Sequence, residues 1–288
     1  MFDRQRFCDA VMKLLNFGCG AAFHPRWVNL DTAPVSPQVI AHDLRREFPF
    51  DRDTFDAAYG SHVIEHLDRR EGARLVGACY RVIKPGGIIR LAVPDLETIA
   101  RLYLANLDGA LAGDAESERR YEWIMLELYD QVVRTRSGGE MAAYLARKLD
   151  EPQSSFVSSR IGLEGADTAK ESARGFSGVR RLFRRGCRAV GRLRGITAGA
   201  LAFLAMGSEG RTALREGEFR RGGEIHQWMY DRYSLGRLLH DAGFEGLRIC
   251  RAGESDIPDF AEYGLEITGG RERKPDSLYM EARKKGTA

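Results

Sequence analysis

Through the first hundred residues, short apolar runs broken by turn residues alternate with segments of helical period. KLLNF (13–17) reads as a buried strand ending at Gly18. WVNLD (27–31) reads as a second, VIAHD (39–43) as a third and FDAAYG (55–60) as a fourth. In EGARLVGACYRVI (71–83), Leu75, Val76, Cys79, Val82 and Ile83 recur at helical spacing, which predicts an amphipathic helix. Lys84-Pro85-Gly86-Gly87 should stop it, and IIRLAV (88–93) follows as a fifth strand ended by Pro94. Strands alternating with helices predict a doubly wound, mostly parallel α/β sheet with helices on both faces.

The alternation then breaks. From about 98 to 225 the pattern is mainly helical or irregular, with Gly/Ser-rich joints at 136–140 and 153–160. It resumes in HQWMYDRYSLGRLLHDAGF (226–244), where Leu235, Leu238, Leu239 and Ala242 share a helical face and Gly243 suits the residue after the helix end. GLRIC (246–250) and SLYMEAR (277–283) read as closing strands. This gives a sheet domain of residues 1–105 and 226–288, seven strands in all, split by a mainly helical insertion of residues 106–225.

Composition narrows the class only slightly. In 288 residues, 30% charged and 43% hydrophobic, there is room for a full core in a soluble globular chain. Cys8, Cys19, Cys79, Cys187 and Cys250 lie far apart, with no Cys/His ligand spacing, so neither a disulfide framework nor a metal site is expected. The first twenty residues carry charges where a secretory leader needs an apolar core, which fits a cytoplasmic protein. Net charge is +3 but uneven: residues 170–221 hold 13 Lys/Arg against 4 Asp/Glu, and the rest of the chain is net acidic. A specialised surface in that one segment follows.

The strongest local signal is LNFGCG (15–20), a strand running into a turn formed by Phe17, Gly18, Cys19 and Gly20. Glycine there permits positive φ and close approach of a ligand, and a following helix would offer free N–H groups. Asp31, eleven residues beyond Gly20, ends the next strand, where a carboxylate can accept from both ribose hydroxyls of a nucleoside. Asp43, at the third strand's end, can accept from an adenine amino group, with the backbone of Leu44 at the ring edge. Phe23 stands where a G-x-G-x-x-G turn needs its last glycine, which disfavours a dinucleotide.

Taken in order, LNFGCG, WVNLD, HDLRREFPFDRDTFDAAYGSHVIEHL and CYRVIKPGGIIRLAVPDLE resemble the motifs of class I S-adenosylmethionine-dependent methyltransferases. The nearest likeness is to small bacterial members associated with surface polysaccharide or glycolipid synthesis. It covers residues 12–105 and resumes over 226–283. The resemblance implies S-adenosylmethionine as cofactor, with Gly18 and Gly20 bracketing its methionine part, Asp31 on the ribose and Asp43 on the adenine. It also implies that Ser61 and His62 border the sulfonium and the acceptor. Ala22 departs from the pattern, standing where many members carry a third glycine.

Methyl transfer needs alignment of donor and acceptor and, for a hydroxyl, a group to take the proton. Candidates are His62 and His66 beyond the fourth strand and His226 after the insertion, with Glu65 and Asp95 behind them. His66 in VIEHL also reads as a packing residue, and Asp95 as a helix cap. Trp228, Tyr230 and Tyr233 read either as an acceptor-stacking wall or as core.

In VRRLFRRGCRAVGRLR (179–194), Val179, Leu182, Phe183, Cys187, Val190 and Leu193 fall on one stripe and arginines fill the other face; the apolar tract 196–206 follows. The basic amphipathic segment 179–206 suits an anionic membrane surface. A solvated helix and a nucleic-acid surface are the alternatives, nucleic acid the weaker of the two for want of a use for the apolar tract. The expectation is a cytoplasmic methyltransferase, peripheral on the inner membrane surface, acting on a hydroxyl of a sugar or lipid-linked glycan intermediate. The alternatives are an RNA or protein methyltransferase, or a binding protein with a degenerate pocket.

Overall fold

The computed structural model describes residues 12–173, 200–201 and 203–286. Five parallel strands come first: β1 (Leu14–Phe17), β2 (Trp27–Asp31), β3 (Val39–Ala41), β4 (Phe55–Ser61) and β5 (Ile83–Pro94). With β6 (Phe244–Cys250) and β9 (Ser277–Lys284) they form one seven-stranded sheet in the order β3-β2-β1-β4-β5-β9-β6. β9 is antiparallel to both of its neighbours, its Met280 facing Leu91 on one side and Ile249 on the other. This is the doubly wound, Rossmann-like order of a methyltransferase fold, with β1 and β4 at its centre and their carboxyl ends on one edge.

α1 (Arg69–Val82) packs Leu75, Val76, Cys79 and Val82 onto the sheet, and Asp68 and Glu71 close its N-terminus in a reciprocal capping box. α7 (Arg232–Asp241) adds Leu235 and Leu239 to the same core, and Gly243, at φ +98°, ends it as its position predicted. The opposite face differs from expectation. Among the described residues it is covered by Ile257, Phe260, Tyr263 and Leu265, packed on Leu14, Trp27, Ala57, Tyr59 and Ile88. No helix joins β1 to β2, β2 to β3 or β3 to β4, so this face takes its cover from irregular chain. That cover holds a short 3-10 helix (Phe260–Tyr263); the hairpin of β7 (Ile267–Thr268) and β8 (Arg271–Glu272) follows it, with Ile267 packed on Ala92, Cys250, Ala252 and Tyr279.

KPGG does not separate helix from strand as expected. The strand is continuous from Ile83, which pairs with Phe55, and the register shifts before Ala57 meets Ile88. Gly86, at φ +78°, and Gly87, where a Cβ would lie 2.7 Å from the Asp56 carbonyl, accommodate that shift.

The described residues of the insertion form α2 (Leu96–Leu111), α3 (Ala115–Val133), α4 (Gly139–Leu145), α5 (Glu151–Ala173, broken at Gly162) and α6 (203–220). α2 starts at the tip of β5 and runs through residue 105, so the expected boundary at 105/106 falls inside a helix. Ile99, Trp123, Ile124, Tyr144 and Val157 give this layer its own core. Buried Glu127 joins α3 to α5, accepting from Arg160 Nη2 at 2.7 Å and from Trp123 Nε1 at 2.5 Å. Residues 174–199, most of the basic segment, lie outside the described residues.

Candidate active site

The carboxyl ends of β1, β2 and β4 bring the sequence-predicted residues to one edge. Gly18 and Gly20 both have positive φ, +65° and +52°. A Cβ on Gly18 would lie 2.3 Å from Val63 Cγ2, so the turn is packed on the chain beyond β4. Above Gly20, by contrast, a Cβ would meet nothing within 4 Å, and this is the face of the turn open to a ligand. Phe17 and Leu44 offer only backbone, for both side chains are core. Cys19 is likewise buried, and that burial pushes its thiol up to about 12. Ala22 is not at positive φ, so the missing third glycine costs no strain.

The turn does not open a helix. Only nine residues separate Phe17 from Trp27, and Pro25 lies among them. In place of a helix N-terminus, buried polar side chains hold the loop. Asn16 Nδ2 donates to Ala22 O at 3.0 Å and to Asn29 Oδ1 at 3.1 Å, while Asn29 Nδ2 donates to His24 O and Trp27 O. These two asparagines were missed from the sequence. Their signal was faint: a polar residue inside each of two apolar runs.

Asp31 accepts from the Gly20 N–H at 2.8 Å through Oδ2 and from the Ala33 N–H at 2.7 Å through Oδ1. Its carboxylate is thus fixed beside the glycine turn, with acceptor capacity to spare for hydroxyl donors. The His42 N–H donates to Asp31 O, which brings Asp43 to the adjacent strand end. There the Arg45 fork holds the Asp43 carboxylate at 2.9 and 3.1 Å and lowers its pKa from the usual value. Asp43 is therefore paired within its own loop and would serve an adenine amino group only with its remaining lone pairs.

Beyond β4 the chain turns sharply. His62 sits at φ +53°, with Nε2 2.7 Å from Ser277 Oγ and Nδ1 3.4 Å from Glu65 Oε1. Glu65 and His66 belong to a short 3-10 helix (Ile64–His66), and His226 meets them from the far side of the insertion, its ring 4.8 Å from that of His66. The segment carrying His226 is strapped on by backbone bonds: Gln227 N–H and Trp228 N–H both donate to Glu65 O, and His226 N–H donates to Gln131 O of α3. Burial lowers the pKa of all three histidines, leaving neutral rings at neutral pH, and pushes Glu65 up to about 8. Lys274 and Asp276, just before β9, complete the surroundings. The charge of Lys274 acts on each of these four groups, and burial raises Asp276 to about 6. Neither residue stood out in the sequence, because residues 251–276 carry no period to place them.

Asp95 caps α2, accepting from the Glu97 N–H and from Thr98 Oγ1, so its second reading is the one realised. Tyr230 is core. Trp228 and Tyr233 line a groove of about 910 Å³ between α1 and α7, where the Arg69 guanidinium lies 4.8 Å over the Trp228 ring. Its lining includes no residue from the strand tips.

Residues 15–91 match the sequence model of a methyltransferase domain. No curated protein matches the chain. Among solved structures, an S-adenosylmethionine-dependent methyltransferase from Thermotoga maritima aligns at 10% identity, over 95% of this chain and 83% of its own, with a TM-score of 0.37. One from Archaeoglobus fulgidus aligns at 11% identity, over 96% and 87%, also with 0.37. An N-methyltransferase from Bradyrhizobium japonicum, solved with S-adenosylhomocysteine, aligns at 16% identity over 31% of this chain and 56% of its own, with 0.26. Likenesses this loose add nothing to the fold, which the strand order carries by itself. The domain is an S-adenosylmethionine-dependent methyltransferase, and S-adenosylmethionine is its cofactor. Open space over Gly20 and a fixed carboxylate at Asp31 fit a nucleoside that brings no phosphate.

Proposed function

We propose that the enzyme methylates a hydroxyl group of a sugar or lipid-linked glycan intermediate, with Asp31 on the cofactor ribose and His62 as the base. When bound, S-adenosylmethionine supplies a methyl group on positive sulfur and leaves as S-adenosylhomocysteine. Gly20 gives the methionine part room, Gly18 packs the turn on Val63, and Asp31 receives the ribose hydroxyls. His62 takes the hydroxyl proton on Nε2 by way of Ser277 Oγ as the acceptor oxygen bonds to carbon, with Glu65 Oε1 3.4 Å from Nδ1 on the far side of the ring. The carrying observation is the imidazole itself at the strand tips, its Nε2 2.7 Å from Ser277 Oγ. An amine arriving deprotonated would need no such group, whereas a hydroxyl does. His66 and His226 stand behind His62. The glycan class rests on the resemblance of the ordered motifs.

The test is methyl transfer from labelled cofactor to sugar and lipid-linked glycan fractions, with RNA and protein as the other arms. Label in the glycan fraction is expected. Asp31→Ala should weaken cofactor binding at least several-fold, and His62→Asn should lower kcat by about 10²-fold with cofactor affinity kept. Label in RNA or protein alone overturns the acceptor, and unchanged affinity in Asp31→Ala removes the ribose assignment.

The proposal extends to attachment on an anionic membrane surface through 179–206. Its support is the arginine-rich stripe, together with Leu201, Phe203, Leu204 and Met206, all exposed where the described chain resumes. Among the described residues no helix is long and apolar enough to cross a membrane. Co-sedimentation with anionic but not neutral vesicles is the expected result, and a gel shift with RNA in its place would redirect the segment to nucleic acid.

A further inference from the structure

The cluster behind His62 has unmet bonding capacity. Both carboxylate oxygens of Glu65 and the Nδ1 of His226 are buried without a hydrogen-bond partner, in residues that are 0% and 3% exposed. His66 points its Nε2 at the same place, 4.0 Å from Glu65 Oε1, because its Nδ1 is committed to the Ile225 carbonyl at 3.1 Å. A ring that gives one N–H to a backbone carbonyl presents its other nitrogen as a lone pair, which is the usual arrangement of a metal-bound histidine. Ligand atoms of Glu65, His66 and His226 all lie within 4.8 Å of one another.

The frame around them is built rather than loose. Gln227 Nε2 donates to His66 O at 2.8 Å, and the Gln227 and Trp228 N–H groups donate to Glu65 O at 2.7 and 3.2 Å. Each of the two segments therefore fixes the other, and the three donor groups converge from places 160 residues apart in the chain.

We propose that Glu65, His66 and His226 bind a divalent transition-metal ion of the zinc type. Two imidazole nitrogens and one carboxylate suit zinc and its transition-metal neighbours, whereas calcium and magnesium prefer oxygen throughout. An ion about 2.1 Å from each donor brings the donors to about 3.4 Å apart, a small inward turn from the separations present. Three protein ligands leave a position free, and the His66 side chain, 26% exposed, marks the open side.

The consequence for catalysis rests on the reading given under Proposed function; metal binding itself does not. With Glu65 Oε1 3.4 Å from His62 Nδ1, an acceptor hydroxyl entering the free position would be polarised beside its base.

The experiment reads binding alone, so its failure is separate from any failure of methyl transfer. Full-length protein is stripped with a chelator and titrated with zinc chloride by calorimetry, and with cobalt(II) by visible absorption. One zinc ion per chain is expected, with cobalt bands of a nitrogen- and oxygen-ligated site. Glu65→Gln and His226→Asn should each weaken binding by roughly ten-fold or more with unchanged circular dichroism. His240→Ala, on the exposed side of α7, should bind as the parent does. No stoichiometric zinc in the parent, or variants that bind as tightly as it does, overturns the site. Should both variants fail to fold, X-ray absorption of the zinc-loaded parent decides: two imidazoles in the coordination shell support the site, and fewer than two overturn it.

Discussion

Gly18 carries two constraints that act together. Its φ of +65° disfavours any side chain, and a Cβ would strike Val63 at 2.3 Å. Gly18→Ala should therefore cost about 1–3 kcal/mol of stability and weaken cofactor binding with it, as read by thermal unfolding and calorimetry. Glycine in a strand-to-turn junction announces such a position in the sequence, and the same applies to Asp31 at the end of a polar-tipped strand. Asp43 was legible as a strand-end acid, but its engagement with Arg45 was not, because a pair two residues apart forms only if the loop curls back. The asparagine pair left only a polar residue inside each of two apolar runs, and Lys274 and Asp276 lie in a stretch without a period, so no spacing pointed to them.

Elements with a regular period were plain in the sequence. α1 and α7 show why, each combining an apolar stripe with a capping aspartate. Asp231 accepts from the Tyr233 and Ser234 N–H groups, and the Ser234 N–H, with the neighbouring bonds, holds its pKa below the usual value. A carboxyl depressed in the folded state stabilises above its unfolded pKa and loses that contribution as pH falls through the folded value. Asp231→Ala should thus cost about 1 kcal/mol at neutral pH and less near pH 3, measured by urea unfolding at the two pH values. Elements defined by long-range contact were missed. Phe260–Tyr263 has no period of its own and packs on the sheet face above Trp27 and Tyr59, while the β7–β8 hairpin rests Ile267 on Ala92, Cys250, Ala252 and Tyr279. KPGG reads locally as a stop, yet pairing with β4 carries the strand through it.

At the scale of the molecule, the sheet and the insertion were foreseeable from the point where alternation ceases. How the two meet was not, since the bond from the His226 N–H to the Gln131 carbonyl joins residues nearly a hundred positions apart. The sheet has its own hidden tie. Arg90, fully buried in β5, pairs with Glu266 and Glu281 and donates to the carbonyls of Arg251, Ala252 and Glu254, with Phe260 stacked at 4.6 Å. Arg90→Met would leave Glu266 buried without its cation and Glu281 with Arg248 alone, so a loss of about 3–5 kcal/mol is expected in urea unfolding. Hydrogen exchange should then rise first in 251–266, the stretch that the guanidinium pins down.

The position of β9 bears on how the protein is born. Ile88 finds Arg283 across nearly two hundred intervening residues, and among the described residues β6 has no hydrogen-bonded neighbour in the sheet except β9. While the ribosome is still making those residues, the nascent sheet must wait with an exposed edge at β5, open to the wrong pairings that unfinished sheets invite. Ser277, which faces His62, arrives with the same strand. The strand that covers the β5 edge is therefore also the one that brings Ser277 to His62.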